Sequence, residues 1–203
     1  MTQERQDGPW EAKEFITKYL AADMPERLVA FRNAWQLDDA RLPNPVKYLS
    51  YEPIGLDEWP MINTVQMNTR LIQRVDYDNY SLDPVYRVTY NMRTYVWVRG
   101  EYAHDTTESR DRMTAVVRSA LLDHPSMTRS SDIWFPSVTS EVRLDEGTLR
   151  EEYSELTYVK GQRVVAGAYL AYEFSLNEPI RRMKNGDIAS FDLKTVSLGD
   201  ASL

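Results

Sequence analysis

The chain has 203 residues, enough to bury one substantial core and too few for two full domains. Its 42% hydrophobic and 27% charged residues exclude a disordered chain, and its lack of any cysteine excludes disulfides, zinc ribbons, iron–sulfur ligation and thiol chemistry together and fits a reducing cytoplasm. A net charge of −7 repels phosphate, so duplex binding requires a local basic stripe; the one basic cluster, Arg181, Arg182 and Lys184 beside Glu178 and Asp187, reads as a solvated surface turn.

Residues 1–8 are polar and expected to be disordered, and neither they nor any later stretch has the apolar run of a signal peptide or membrane span. N-terminal helices are expected over 9–37. Phe15, Ile16, Tyr19 and Leu20 recur at helical spacing, Asp23 with Glu26 reads as a capping box, and Leu28, Phe31 and Trp35 carry a second stripe. This predicts two short helices, or one bent at Pro25. Residues 38–60 hold Pro43, Pro45, Pro53, Gly55 and Pro60 and predict a long loop, whose Tyr48, Tyr51 and Trp59 either fold back on the core or meet a partner.

A sheet–helix core is expected over 61–176. Ile62, Thr64, Val65, Leu71 and Val75 mark a first strand ending in a turn at 76–80. The next strand, 85–98, alternates cleanly: Tyr86, Val88, Tyr90, Met92, Val96 and Val98 share one face, and Arg87, Thr89, Asn91, Arg93, Tyr95 and Trp97 the other. Gly100 ends it. Asp105 with Glu108 reads as a capping box for a helix whose stripe is Met113, Val116, Val117, Ala120 and Leu121 and which stops at Pro125, its charges Arg110, Asp111, Arg112, Arg118 and Asp123 turned to water or a neighbour. Residues 126–140 surround an apolar island that includes Trp134, and Val142 and Leu144 mark a short strand. A hairpin of 149–159 and 163–176 turns at Lys160, Gly161 and Gln162, with Val164, Ala166, Ala168, Leu170, Tyr172, Phe174 and Leu176 alternating. Residues 177–203 read as a C-terminal arm. The expected class is α+β: a mixed or antiparallel sheet with a helix packed on one face, N-terminal helices and extended arms, in a single domain.

Chemistry has little to stand on. His104 and His124 fall at opposite ends of one helix, roughly 30 Å apart, and cannot share a metal within one subunit. Asp76 and Asp78 have the spacing of a magnesium-binding pair, with Glu52 as a third ligand, but with Asn79 adjacent and no supporting lysine or histidine pattern the Asx-turn is the favoured reading. No phosphate loop, dinucleotide fingerprint or nucleophile elbow occurs. No enzyme activity, metal or cofactor is therefore expected. The odd-numbered strand face carries more information. Arg87, Arg93, Tyr95 and Trp97 are large and adhesive where a solvated sheet favours small polar residues, and aromatics and arginine are enriched at interface hot spots. Either the N-terminal helices cover that face or another chain does.

Residues 59–62, the turn at 75–77, the strand 86–98, the break at 100–102 and the helix 106–123 together resemble the core of the tail-terminator proteins of long-tailed, siphovirus-type bacteriophages, over about residues 55–125. That resemblance implies a virion structural protein, assembled in the host cytoplasm, that forms a hexameric ring at the head-proximal end of the tail tube. It implies as partners other copies of the chain, the tail tube protein and a head-completion or connector protein, with genomic DNA passing through the lumen without sequence-specific binding, and no membrane. The expected contact residues are Arg87, Arg93, Tyr95, Trp97, Tyr102, Trp59 and Trp134, with the arms 38–60 and 177–203. The alternatives are a head-completion or connector-type neck subunit, a small carboxylate-metal hydrolase using Asp76 and Asp78, and an adaptor that binds peptides by strand addition.

Overall fold

The computed structural model describes residues 8–52, 58–77, 84–125, 143–154, 157–159 and 163–179. Pro9 opens helix α1 (Pro9–Trp35), where its missing N–H costs nothing, and Gln36 closes it in the left-handed region at φ 55°. The helix runs unbroken through Pro25, although an interior proline costs about 3 kcal/mol. Burial of Ile16, Leu20, Met24 and Leu28 on both sides of that residue offsets the loss. The capping box expected at Asp23 and Glu26 does not form, because Asp23 lies buried in mid-helix. Its carboxylate instead accepts hydrogen bonds from Arg27, at 2.5 and 3.3 Å.

Arg32 is buried near the C-terminus of α1, donating to the Leu42 carbonyl at 2.8 and 2.6 Å and to Asn44 at 2.7 Å. That clamp holds the proline-rich segment against α1 and lets it contribute a strand where only loop was expected. Strand β1 (Lys47–Leu49) pairs in parallel with the start of β2 (Met61–Tyr77). Tyr48 packs against the core, as one of the two sequence readings had it, while Tyr51 is exposed.

Strand β2 runs antiparallel to β3 (Pro84–Gly100), so the strand expected to end at the 76–80 turn continues to Tyr77. The hairpin expected in the C-terminal half forms in three pieces. β4 (Arg143–Tyr153) and β5 (Thr157–Val159) both pair with β6 (Arg163–Pro179), and Val159 opposes Arg163, while the expected turn at 160–162 lies outside the described residues. Ser154, at the break between β4 and β5, stays attached to β6 by accepting from the Gly167 N–H and donating to the Gly167 carbonyl. The strand order is β1-β2-β3-β6-β4, with β5 also against β6.

Helix α2 (Ala103–Asp123) starts three residues before the predicted 106, with Tyr102 as N-cap and no side-chain cap. The Asp105 and Glu108 capping box is therefore not used. The Thr106 and Thr107 hydroxyls bond back to the Tyr102 and Ala103 carbonyls instead, and Asp105 lies in the first turn, where the helix dipole favours an acid. A methyl group at Gly100 would stand 2.3 Å from the Thr106 hydroxyl oxygen, so glycine lets β3 end directly under α2. Of the charges expected to face water, Arg110 turns in, donating to the Ser154 carbonyl and lying over the Tyr153 ring.

Both helices pack on the same side of the sheet. One buried cluster joins Ile16, Leu20 and Leu28 of α1 and Val116, Val117 and Leu121 of α2 to the even-numbered face of β3 and the matching face of β6. A polar seam crosses this core, from Thr64 to Thr94 at 3.1 Å and from Thr94 to Tyr172 at 2.7 Å. Burial pushes the Tyr172 phenol up from its ordinary pKa, so it stays neutral and serves as a hydrogen-bonding group.

Candidate functional site

With α1 and α2 on the even side, no described helix covers the odd-numbered face of β3. The sequence left open whether the N-terminal helices lie there, and α1 does not. Apart from the buried Thr89, the odd-numbered side chains from Arg87 to Arg99 are half-buried. The Trp97 indole stacks on Tyr95, with centroids 6.0 Å apart and planes 6° from parallel, and its N–H donates to Asn63 of β2 at 3.1 Å. Tyr95 in turn meets Tyr169 of β6, at 5.2 Å between centroids. The Arg93 guanidinium lies 4.5 Å over the Tyr169 ring and donates to the Tyr95 hydroxyl at 3.5 Å. The Tyr169 hydroxyl donates to Glu152 of β4, which raises the Tyr169 pKa, and the bond to Tyr95 raises that of Arg93.

Register explains why these residues meet. Trp97 opposes Met61 and Gly167, Tyr95 opposes Asn63 and Tyr169, and Arg93 opposes Val65 and Ala171, so the pleat brings the three odd positions and their partners to one face. A methyl group at Gly167 would stand 2.5 Å from the Trp97 ring, so this glycine makes the room in which the indole lies across β6.

Of the expected contact residues, Arg93, Tyr95 and Trp97 come together here. Trp59 joins their margin through Arg99, whose guanidinium lies 5.6 Å over its ring. Arg87 does not join them: it is ten residues from Trp97, roughly 33 Å along the strand, and donates to Asn177 at 3.4 Å. Tyr102 is 68% exposed ahead of α2. Trp134 lies outside the described residues, as do Asp78 and the basic cluster at 181–184, and the 177–203 arm is described only to Pro179. The sequence reading missed Tyr169, Gly167 and Arg99. Arg99 was detectable by parity, since it continues the odd phase of β3, whereas Gly167 and Tyr169 join the face through the register that sets them opposite Trp97 and Tyr95.

Beyond Arg93, on the side away from Trp97, a groove of about 370 Å³ crosses the same face and is lined by Asn68, Arg70, Arg93, Thr148, Arg150 and Glu173 among others. Arg70 pairs with Glu173. Arg93 and Arg150 form no salt bridge among the described residues, though the Glu152 carboxylate acts on Arg93 through space, and the lining sets Arg70, Arg93 and Arg150 against Glu173, so the groove carries net positive charge on an acidic chain.

The histidines mark the ends of α2, His104 in its first turn and His124 at its C-cap, where it lies 3.7 Å from Asp123. For Asp76 only the backbone is described, opposite Val85. Among the described residues no group of three or more His, Asp or Glu is placed to hold a metal ion, and no helix is long and apolar enough to cross a membrane. No protein-family model matches the chain, and the search of curated proteins returns no relative.

Proposed function

We propose that this protein is a structural ring subunit in the neck of a long-tailed bacteriophage, a tail terminator that ends tube polymerisation and offers a docking surface to the head-completion proteins. The observation that supports this most directly is the sheet face bearing Arg93, Tyr95, Trp97 and Tyr169, which both helices leave uncovered. These are residue types enriched at interface hot spots, pre-ordered by mutual stacking, so little side-chain freedom is lost when a partner lands on them. The stretch that carries the family resemblance folds as one contiguous unit of β2, β3 and α2. A subunit with different patches at different places, as here, is suited to head-to-tail contacts that close by rotation.

Native mass spectrometry with negative-stain microscopy of the purified protein tests the reading, with and without tail tube protein. Hexameric rings are the expected result. A lone particle at every concentration and with every virion component overturns it.

A further inference from the structure

We infer that the arginine groove of one copy receives the exposed segment Glu101, Tyr102 and Asp105 of the next, which makes the subunit contact electrostatically head-to-tail. This rests on the ring reading and goes beyond it by naming the two surfaces that meet. Glu101 and Asp105 are exposed and have no cationic partner among the described residues, and between them Tyr102 is 68% exposed. The dipole of α2 accounts for Asp105 but not for Glu101 or Tyr102, which precede the helix. The groove supplies what they lack: Arg93 and Arg150, neither in a salt bridge among the described residues, beside the Thr148 hydroxyl and the Asn68 amide. An aromatic ring flanked by two carboxylates thus faces a cleft flanked by guanidiniums, and two bodies of net charge −7 acquire a local attraction that offsets their mutual repulsion.

The two patches cannot meet within one molecule. Arg93 and Glu101 lie eight residues apart on and just beyond β3, roughly 26 Å along a rigid strand. The contact therefore has to be made between copies, and a copy that gives its acidic segment to one neighbour still offers its groove to another.

Charge exchange tests the pairing. E101R and R150E alter exposed side chains, and each alone is expected to weaken assembly roughly tenfold or more in native mass spectrometry, whereas the E101R/R150E chain recovers it. The absence of native cysteine gives a second readout. Tyr102→Cys and Thr148→Cys chains, mixed and oxidised, are expected to cross-link to each other and not to themselves. If the single charge variants assemble like wild type, or the double variant fails to recover and no mixed cross-link forms, this pairing is wrong while the ring stands. If wild type never assembles, the ring reading falls and the pairing with it.

Discussion

Trp97 has a structural role within the sheet and, under the proposed ring, a role at the subunit contact, and experiment can separate the two. Its indole stacks on Tyr95 and bonds Asn63, yet it lies on the side of the sheet away from the main core. Trp97→Ala is expected to keep the far-ultraviolet circular dichroism of wild type, to lose about 1–2 kcal/mol of stability, and to weaken assembly much more than that loss explains. An unfolded variant would make Trp97 core and end its assignment to an interface. Gly167→Ala probes the same ring from beneath. The added methyl collides with the indole, so a loss of about 1–3 kcal/mol and a changed tryptophan environment in near-ultraviolet circular dichroism are expected. At this scale the strand face was legible from alternation alone, because period 2 assigns sides without any knowledge of neighbours. Tyr169 was not, since its own strand was read for its buried positions and pairing register is a tertiary property.

At the level of elements, the connection between the helices is the part the sequence misrepresented. Asp23 and Asp105 both begin a capping-box spacing, and neither caps. Arg27 explains the first: besides Asp23 it reaches Ser119 at 3.0 Å and Asp123 at 2.8 Å, tying α1 to α2 from mid-helix, a role no local motif encodes. Burial works against the Arg27 charge, but the hydrogen bonds to Asp23 and Asp123 outweigh it and leave its pKa above the ordinary value. The same bond lowers the Asp123 pKa. A carboxylate whose folded pKa is depressed adds stability above its unfolded pKa of roughly 4, and that stability is lost as pH falls through the folded value. Thermal melts of wild type and Asp123→Asn should therefore differ at neutral pH by about 0.5–1 kcal/mol, since Asp123 is largely exposed, and converge in acid. Arg27→Met is expected to cost more, about 3–5 kcal/mol, because it leaves the buried Asp23 without its guanidinium. A melt no lower than that of Asp123→Asn would show that Asp23 finds another partner.

For the whole molecule, the α+β class, the helix on a sheet and the C-terminal hairpin followed from periodicity. The strand order did not, since it places β6 between β3 and β4, and β1 inside a segment dense in proline. Local sequence cannot announce such pairings: β1 exists because Arg32 fixes the chain ahead of it, and β6 joins β3 across the whole of α2, β4 and β5. That late position of β6 has a consequence during synthesis. Until it leaves the ribosome, one edge of β3 lacks its partner and the buried residues Tyr172 and Phe174 are missing from the core, so a nascent chain holds an open, adhesive sheet. Tyr169, part of the stack on the opposite face, arrives on that same strand. Completion of the core and completion of the aromatic stack on the opposite face therefore come together, and under the proposed ring a chain cut short before β6 lacks both.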